Sequence, residues 1–81
     1  MEKRLSIISI IVEQPEQVQR VNELLHQFSP YIVGRMGLPI RERQLSLISV
    51  VVDAPVDLTS ALSGKLGMID GVTAKTLTAR S

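Results

Sequence analysis

Leu5-Ser6-Ile7-Ile8-Ser9-Ile10-Ile11-Val12 returns forty residues later as Leu45-Ser46-Leu47-Ile48-Ser49-Val50-Val51-Val52. Each copy is followed by an acidic residue, one spacer and a proline: Glu13-Gln14-Pro15, then Asp53-Ala54-Pro55. Both stretches are apolar at nearly every position, rich in β-branched residues and too short for a buried helix. That pattern suits a strand covered on both faces. The two strands divide in the same way. Ile8, Ile10 and Val12 share one face of the first, with Leu5, Ile7 and Ile11 on the other. Ile48, Val50 and Val52 share one face of the second, opposite Leu45, Leu47 and Val51.

Between the copies, Pro15 sits where a helix favours its first residue, and Glu16 lies in the first turn. Val18, Val21, Leu24, Leu25 and Phe28 then recur at spacings of three and four, so an amphipathic helix is predicted from Pro15 to about Gln27. Ser29-Pro30 ends it. Tyr31 to about Met36 reads as a weaker strand, loosened by Gly34 and Gly37, which suits an edge. Gly37 to Arg43 connects to the second copy. A second helix is predicted from Pro55, with Leu58, Ala61, Leu62 and Leu66 as its buried stripe. Gly64 is positioned to permit close helix approach, and Gly67 to cap the C-terminus. Asp70-Gly71 is a turn signal. Val72 to Ala79 alternates as a final strand.

The order is β-α-β, β-α-β: two repeats, about 4–37 and 44–79, in one domain spanning 1–81. The predicted class is α+β, a ferredoxin-like plait with antiparallel sheet order 4-1-3-2 and both helices on one face. The two copies of the repeat become the central strands. Helices cover one face only, yet both faces of these strands are apolar, and an exposed aliphatic patch marks an interface. Leu5, Ile7, Ile11, Leu45, Leu47 and Val51 are therefore the predicted oligomer interface, in a dimer or tetramer.

Composition narrows the chemistry. The 81 residues hold no cysteine, which excludes disulfides, thiolate zinc sites and cysteine-held iron–sulfur clusters. The formal net charge of +1 supplies no global field for nucleic acid or an anionic membrane. The N-terminal apolar stretch is too short to span a bilayer and no cleavage signal follows, so a cytoplasmic protein is expected. His26, the only histidine, falls near the end of the first helix, where the dipole favours a cation. Alone it is a poor metal ligand, and no cofactor is expected. Phe28 and Tyr31 are the only aromatics, so the stacking residues of an RNA-binding sheet are missing. Asn22, the only asparagine, lies mid-helix, and the loop after the first strand has neither glycine nor arginine. A small plait hydrolase of the acylphosphatase type is excluded on both counts, and no enzyme is expected. Ser6, Ser9, Ser46 and Ser49 have no histidine at a nucleophile-like spacing and read as packing residues.

One cluster has a sharper reading. Gly34-Arg35-Met36-Gly37, Arg41 and Arg43, with Glu13 at the same end of the sheet, form the candidate ligand site. Three arginines around a glycine-bearing loop suit an anion, held by forked guanidinium bonds and backbone N–H groups.

Several segments resemble one small family. They are Ile10-Ile-Val-Glu-Gln-Pro-Glu16, Val21-Asn-Glu-Leu-Leu-His26, Tyr31-Ile-Val-Gly-Arg-Met-Gly37, Ile40-Arg-Glu-Arg43, Ile48-Ser-Val-Val-Val-Asp-Ala-Pro55 and Ala61-Leu-Ser-Gly-Lys-Leu-Gly67. The chain is similar to the regulators of iron-only hydrogenase systems, a family whose fold is similar to ACT and nickel-regulator C-terminal domains. The resemblance implies a small ACT-like regulatory domain associated with hydrogenase expression or maturation. The expected mode of action is an oligomer that senses a small ligand or anion at an interface. A module that binds a maturation or regulatory protein without a ligand is the alternative. Two departures stand beside it. The loop where ACT domains carry a glycine is Glu13-Gln14-Pro15-Glu16, and the several histidines and cysteine of nickel sites are reduced here to one histidine. No DNA-binding segment is present, which argues against direct operator binding.

Overall fold

The computed structural model describes residues 2–80. Strand β1 (Arg4–Val12) leads through one 3₁₀ turn (Pro15–Gln17) into α1 (Val18–Gln27). A second turn, Ser29–Tyr31, enters β2 (Ile32–Ile40), and a third, Arg41–Arg43, enters β3 (Leu45–Ala54). Helix α2 (Val56–Gly67) and strand β4 (Val72–Thr78) complete the order. The sheet is antiparallel in the order β2-β3-β1-β4. This is the plait expected from the sequence, with the two repeated stretches at its centre.

The repeat also sets the register. Ser9 lies opposite Ser49, and Ile7 opposite Val51. Because Ser9 and Ser49 occupy the same place in the two copies, the approximate two-fold axis relating the copies passes between them. Ile8, Ile10, Val12, Ile48, Val50 and Val52 are buried, and they pack with Val21 and Leu25 of α1 and Leu62 and Leu66 of α2. Burying aliphatic side chains contributes roughly 1.5–3 kcal/mol each before ordering costs, so this face holds the fold together.

Four local details differ from the sequence reading. β2 runs on to Ile40, because β3 offers partners as far as Leu45. Pro39 is tolerated there because β2 is an edge strand and needs no outward N–H. The chain then reaches β3 through Gln44 in a left-handed conformation, φ 55°. In α2 the buried stripe is Thr59, Leu62 and Leu66, at spacings of three and four, while Ala61 is exposed. The Thr59 hydroxyl is buried without a hydrogen-bond partner. A Cβ on Gly64 would meet nothing within 4 Å, so no close helix approach depends on it. Gly67 ends α2 without the left-handed cap, since Met68 beyond it stays right-handed.

The Asp70-Gly71 turn is where glycine is required. Gly71 has φ +74°, and a Cβ there would lie 2.8 Å from Cγ of Gln14. The Glu13 N–H donates to the Gly71 carbonyl at 2.8 Å, tying the loop after β1 to the turn before β4. Among the described residues no helix is long and apolar enough to cross a membrane.

Candidate functional site

Two surfaces stand out, one on each face of the sheet. On the face away from the helices, paired residues line up across all four strands. Ile7 lies between Val51 and Leu77, and Ile11 between Leu47 and Thr73. Leu38 of β2 extends the second row beside Leu47. Between these apolar rows runs a polar one: Met36, Ser49, Ser9 and Lys75. Of the predicted interface residues, Leu5, Ile7, Ile11 and Leu47 are exposed at 39–49%. Val51 and Leu45 are half-buried. Leu38 and Leu77 belong to the same surface, at 54% and 73% exposed. The sequence reading left them out because β2 was drawn short and Leu77 was not placed against Ile7.

On the helix face, the arginine cluster is divided. Arg35 lies opposite Val50 in the middle of the sheet, not at its end. Its guanidinium crosses to α1, where Nη2 donates to Asn22 Oδ1 at 2.7 Å. Met36 and Gly34 lie opposite Ser49 and Val51, on the open face. Gly37 is opposite Ile48, on the helix face beside Arg35. Arg41 and Arg43 sit in the exposed turn at the sheet end. There a small cavity of about 240 Å³ is lined by Pro15, Pro39, Ile40, Arg41, Gln44 and Leu45, among others. Glu13 is exposed at that same end, after Val12, which lies opposite Ser46. The structure thus keeps Arg41 and Arg43 in one turn, with Arg41 alone of the two at the cavity, holds Arg35 apart with Asn22, and sends Met36 to the opposite face.

His26 is exposed near the end of α1 and lines a cleft with Asn22, Ser29, Ile32 and Arg35. Among the described residues no group of three or more histidine, cysteine or acidic side chains is placed to hold a metal ion. The serines divide by face. Ser6 is buried and shares a 2.9 Å hydrogen bond with Thr78, whereas Ser9 is exposed.

Comparison with known proteins supplies the family. Residues 4–76 match the TM1266-like family, described as "Iron-only hydrogenase system regulator, putative". The chain belongs to this family. The resemblance drawn from its segments is therefore correct, and the family is described as a regulator rather than as an enzyme. The structure of TM1266, an uncharacterized protein from Thermotoga maritima, superposes with a TM-score of 0.92 at 48% identity, covering 98% of this chain and 100% of that one. A formyltetrahydrofolate deformylase from Pseudomonas putida KT2440 matches with a TM-score of 0.69 at 12% identity, over 95% of this chain and 29% of that one. At that identity the likeness is one of fold alone. Among curated proteins no match is found.

Proposed function

We propose that the chain is a regulatory module of an iron-only hydrogenase system. Copies join through the open face of the sheet and respond to a small effector. The supporting observation is that face. Two aliphatic rows, Val51–Ile7–Leu77 and Leu38–Leu47–Ile11, flank the polar row of Ser9 and Ser49, with most members well exposed. A patch of this kind stays in water only at a solubility cost, and a second copy removes it. Family membership supplies the system in which the module acts. The module carries no catalysis and needs no cofactor, and it works in the cytoplasm. The test is size-exclusion chromatography with light scattering at micromolar concentration. A dimer or tetramer is expected, and a monomer would sink the assembly.

A second reading has an observation of its own. Met68 is 85% exposed at a groove between the helices, lined also by Arg20, Glu23, Gln27 and Lys65. An exposed methionine beside mixed charges suits an adaptable protein contact. On this reading the module binds a maturation or regulatory protein and takes no ligand. Thermal-shift screening separates the two, because a ligand that binds only the folded form raises the apparent melting temperature.

A further inference from the structure

The helix-face surface around Arg35 carries more than its hydrogen bond to Asn22. Two cavities, about 320 and 260 Å³, lie between α1 and the edge strand β2, and both include Asn22 and Arg35 in their walls. The Arg35–Asn22 bond is the partition between them. Asn22 and His26 lie four residues apart on one face of α1, and they form a polar stripe that Ser29 of the following 3₁₀ turn extends. Arg35 reaches that stripe from below.

The chemistry of the walls is one-sided. No aspartate or glutamate lines either cavity among the described residues. The groups present can all donate: the Arg35 guanidinium, the Asn22 amide, the His26 imidazole and the Ser29 hydroxyl. Arg35 uses one donor on Asn22 Oδ1, which leaves others of its planar fork for a carboxylate. The Asn22 NH₂ is free to donate beside it. Val18, Pro39 and Ile48 line the second cavity and give it an aliphatic wall. Gly37 lines it as well, and a Cβ there would meet nothing within 4 Å. The strand is therefore bare where a ligand body would lie.

We propose that this cleft binds a small aliphatic monocarboxylate, its carboxylate on Arg35, Asn22 and His26 and its body in the cavity over Gly37. The inference rests on the effector-responsive reading above and names the site and ligand class. Two arguments set the class. The cleft has no acidic side chain to meet an ammonium group, and the Arg35 guanidinium repels one, which disfavours a free amino acid. His26 lies in the last turn of α1, where the carbonyl end of the helix opposes additional negative charge, so a monoanion is preferred to a phosphate dianion. Gly34 and Met36 flank Arg35 and lie on the open face, so the cleft and the proposed assembly surface share one strand.

The test is an amide-resolved NMR titration of the full chain with 3-methylbutanoate, at constant ionic strength. Leucine and inorganic phosphate are titrated in parallel. Saturable shifts at Asn22, His26, Ser29 and Arg35 are expected, with leucine and phosphate at least about tenfold weaker. Arg35→Lys, which keeps the charge and loses the fork, weakens binding about tenfold. Gly37→Val, which fills the bare cavity, abolishes binding while the melting temperature holds. Absence of saturation at tens of millimolar overturns the inference. So do shifts confined to the Arg41–Arg43 turn, equal binding of leucine, or indifference to both variants. Light scattering on the same samples keeps the two readings apart. A monomer whose cleft still titrates supports the inference and sinks the assembly. An oligomer whose cleft does not titrate overturns the inference alone.

Discussion

Ile10 and Ile11 are neighbours in one strand with the same side chain, and they have opposite fates. Ile10 is 1% exposed beneath the helices, and Ile11 is 41% exposed on the open face. The same division runs through both copies of the repeat. One face is a finished core. The other carries two aliphatic rows either side of a polar one and stays exposed. Composition alone therefore does not say which side of a strand holds the fold and which stays exposed.

The sharpest way to break this comparison is to truncate both neighbours. Ile10→Ala is expected to cost about 2–5 kcal/mol in urea unfolding, from lost transfer energy and an unfilled cavity. Ile11→Ala in the monomeric protein should cost about 1 kcal/mol or less, because its environment is half solvent. Equal losses would show that the open face supports the monomer too. Next in size is the pair Ile7→Asp with Ile11→Asp. Light scattering should show assembly lost while unfolding remains a single cooperative transition. An unchanged oligomer would move the interface elsewhere.

The core face has one flaw, which gives a prediction of opposite sign. Thr59 buries a hydroxyl with no partner. Thr59→Val keeps the shape, removes that desolvation cost and should raise stability by about 1–2 kcal/mol in the same unfolding measurement. A loss would mean that the hydroxyl is satisfied in solution. The smallest effect concerns the serines. Ser6→Ala removes the bond to Thr78 and should cost about 0.5–1.5 kcal/mol. Ser9→Ala, on the exposed row, should fall within about 0.5 kcal/mol of zero. Thermal unfolding of the two variants side by side decides whether the faces differ for polar residues as they do for isoleucine.

The strands, the helices and the strand order were legible because each rests on a repeating pattern. Alternation in Leu5–Val12 and its copy, and the three-and-four spacing of Val18 to Phe28, are local properties of the chain. The candidate site was legible only in part. Arg35, Arg41 and Arg43 lie close in sequence and were read as one cluster, but a strand separates residues by about 3.3 Å each. An extended β2 therefore carries Arg35 well away from the turn at its end. Asn22 and Ser29, which join Arg35 across the cleft, had no signal of their own. Asn22 is an ordinary polar helix residue, and Ser29 part of the turn that follows, until β2 is set beneath them.

The sequence by itself determined the repeat and the central place of its two strands. These follow from periodicity, which a chain carries with it. Only the tertiary structure decided which arginine meets which helix, and that Leu38 and Leu77 join the open face. Those contacts depend on how strands remote in sequence are registered against each other. Cross-strand registry brings Ile7 between Val51 and Leu77 and sets Arg35 opposite Val50. The repeat accounts for the registry of β1 on β3, whereas the places of β2 and β4 beside them depend on how the whole sheet packs against its helices.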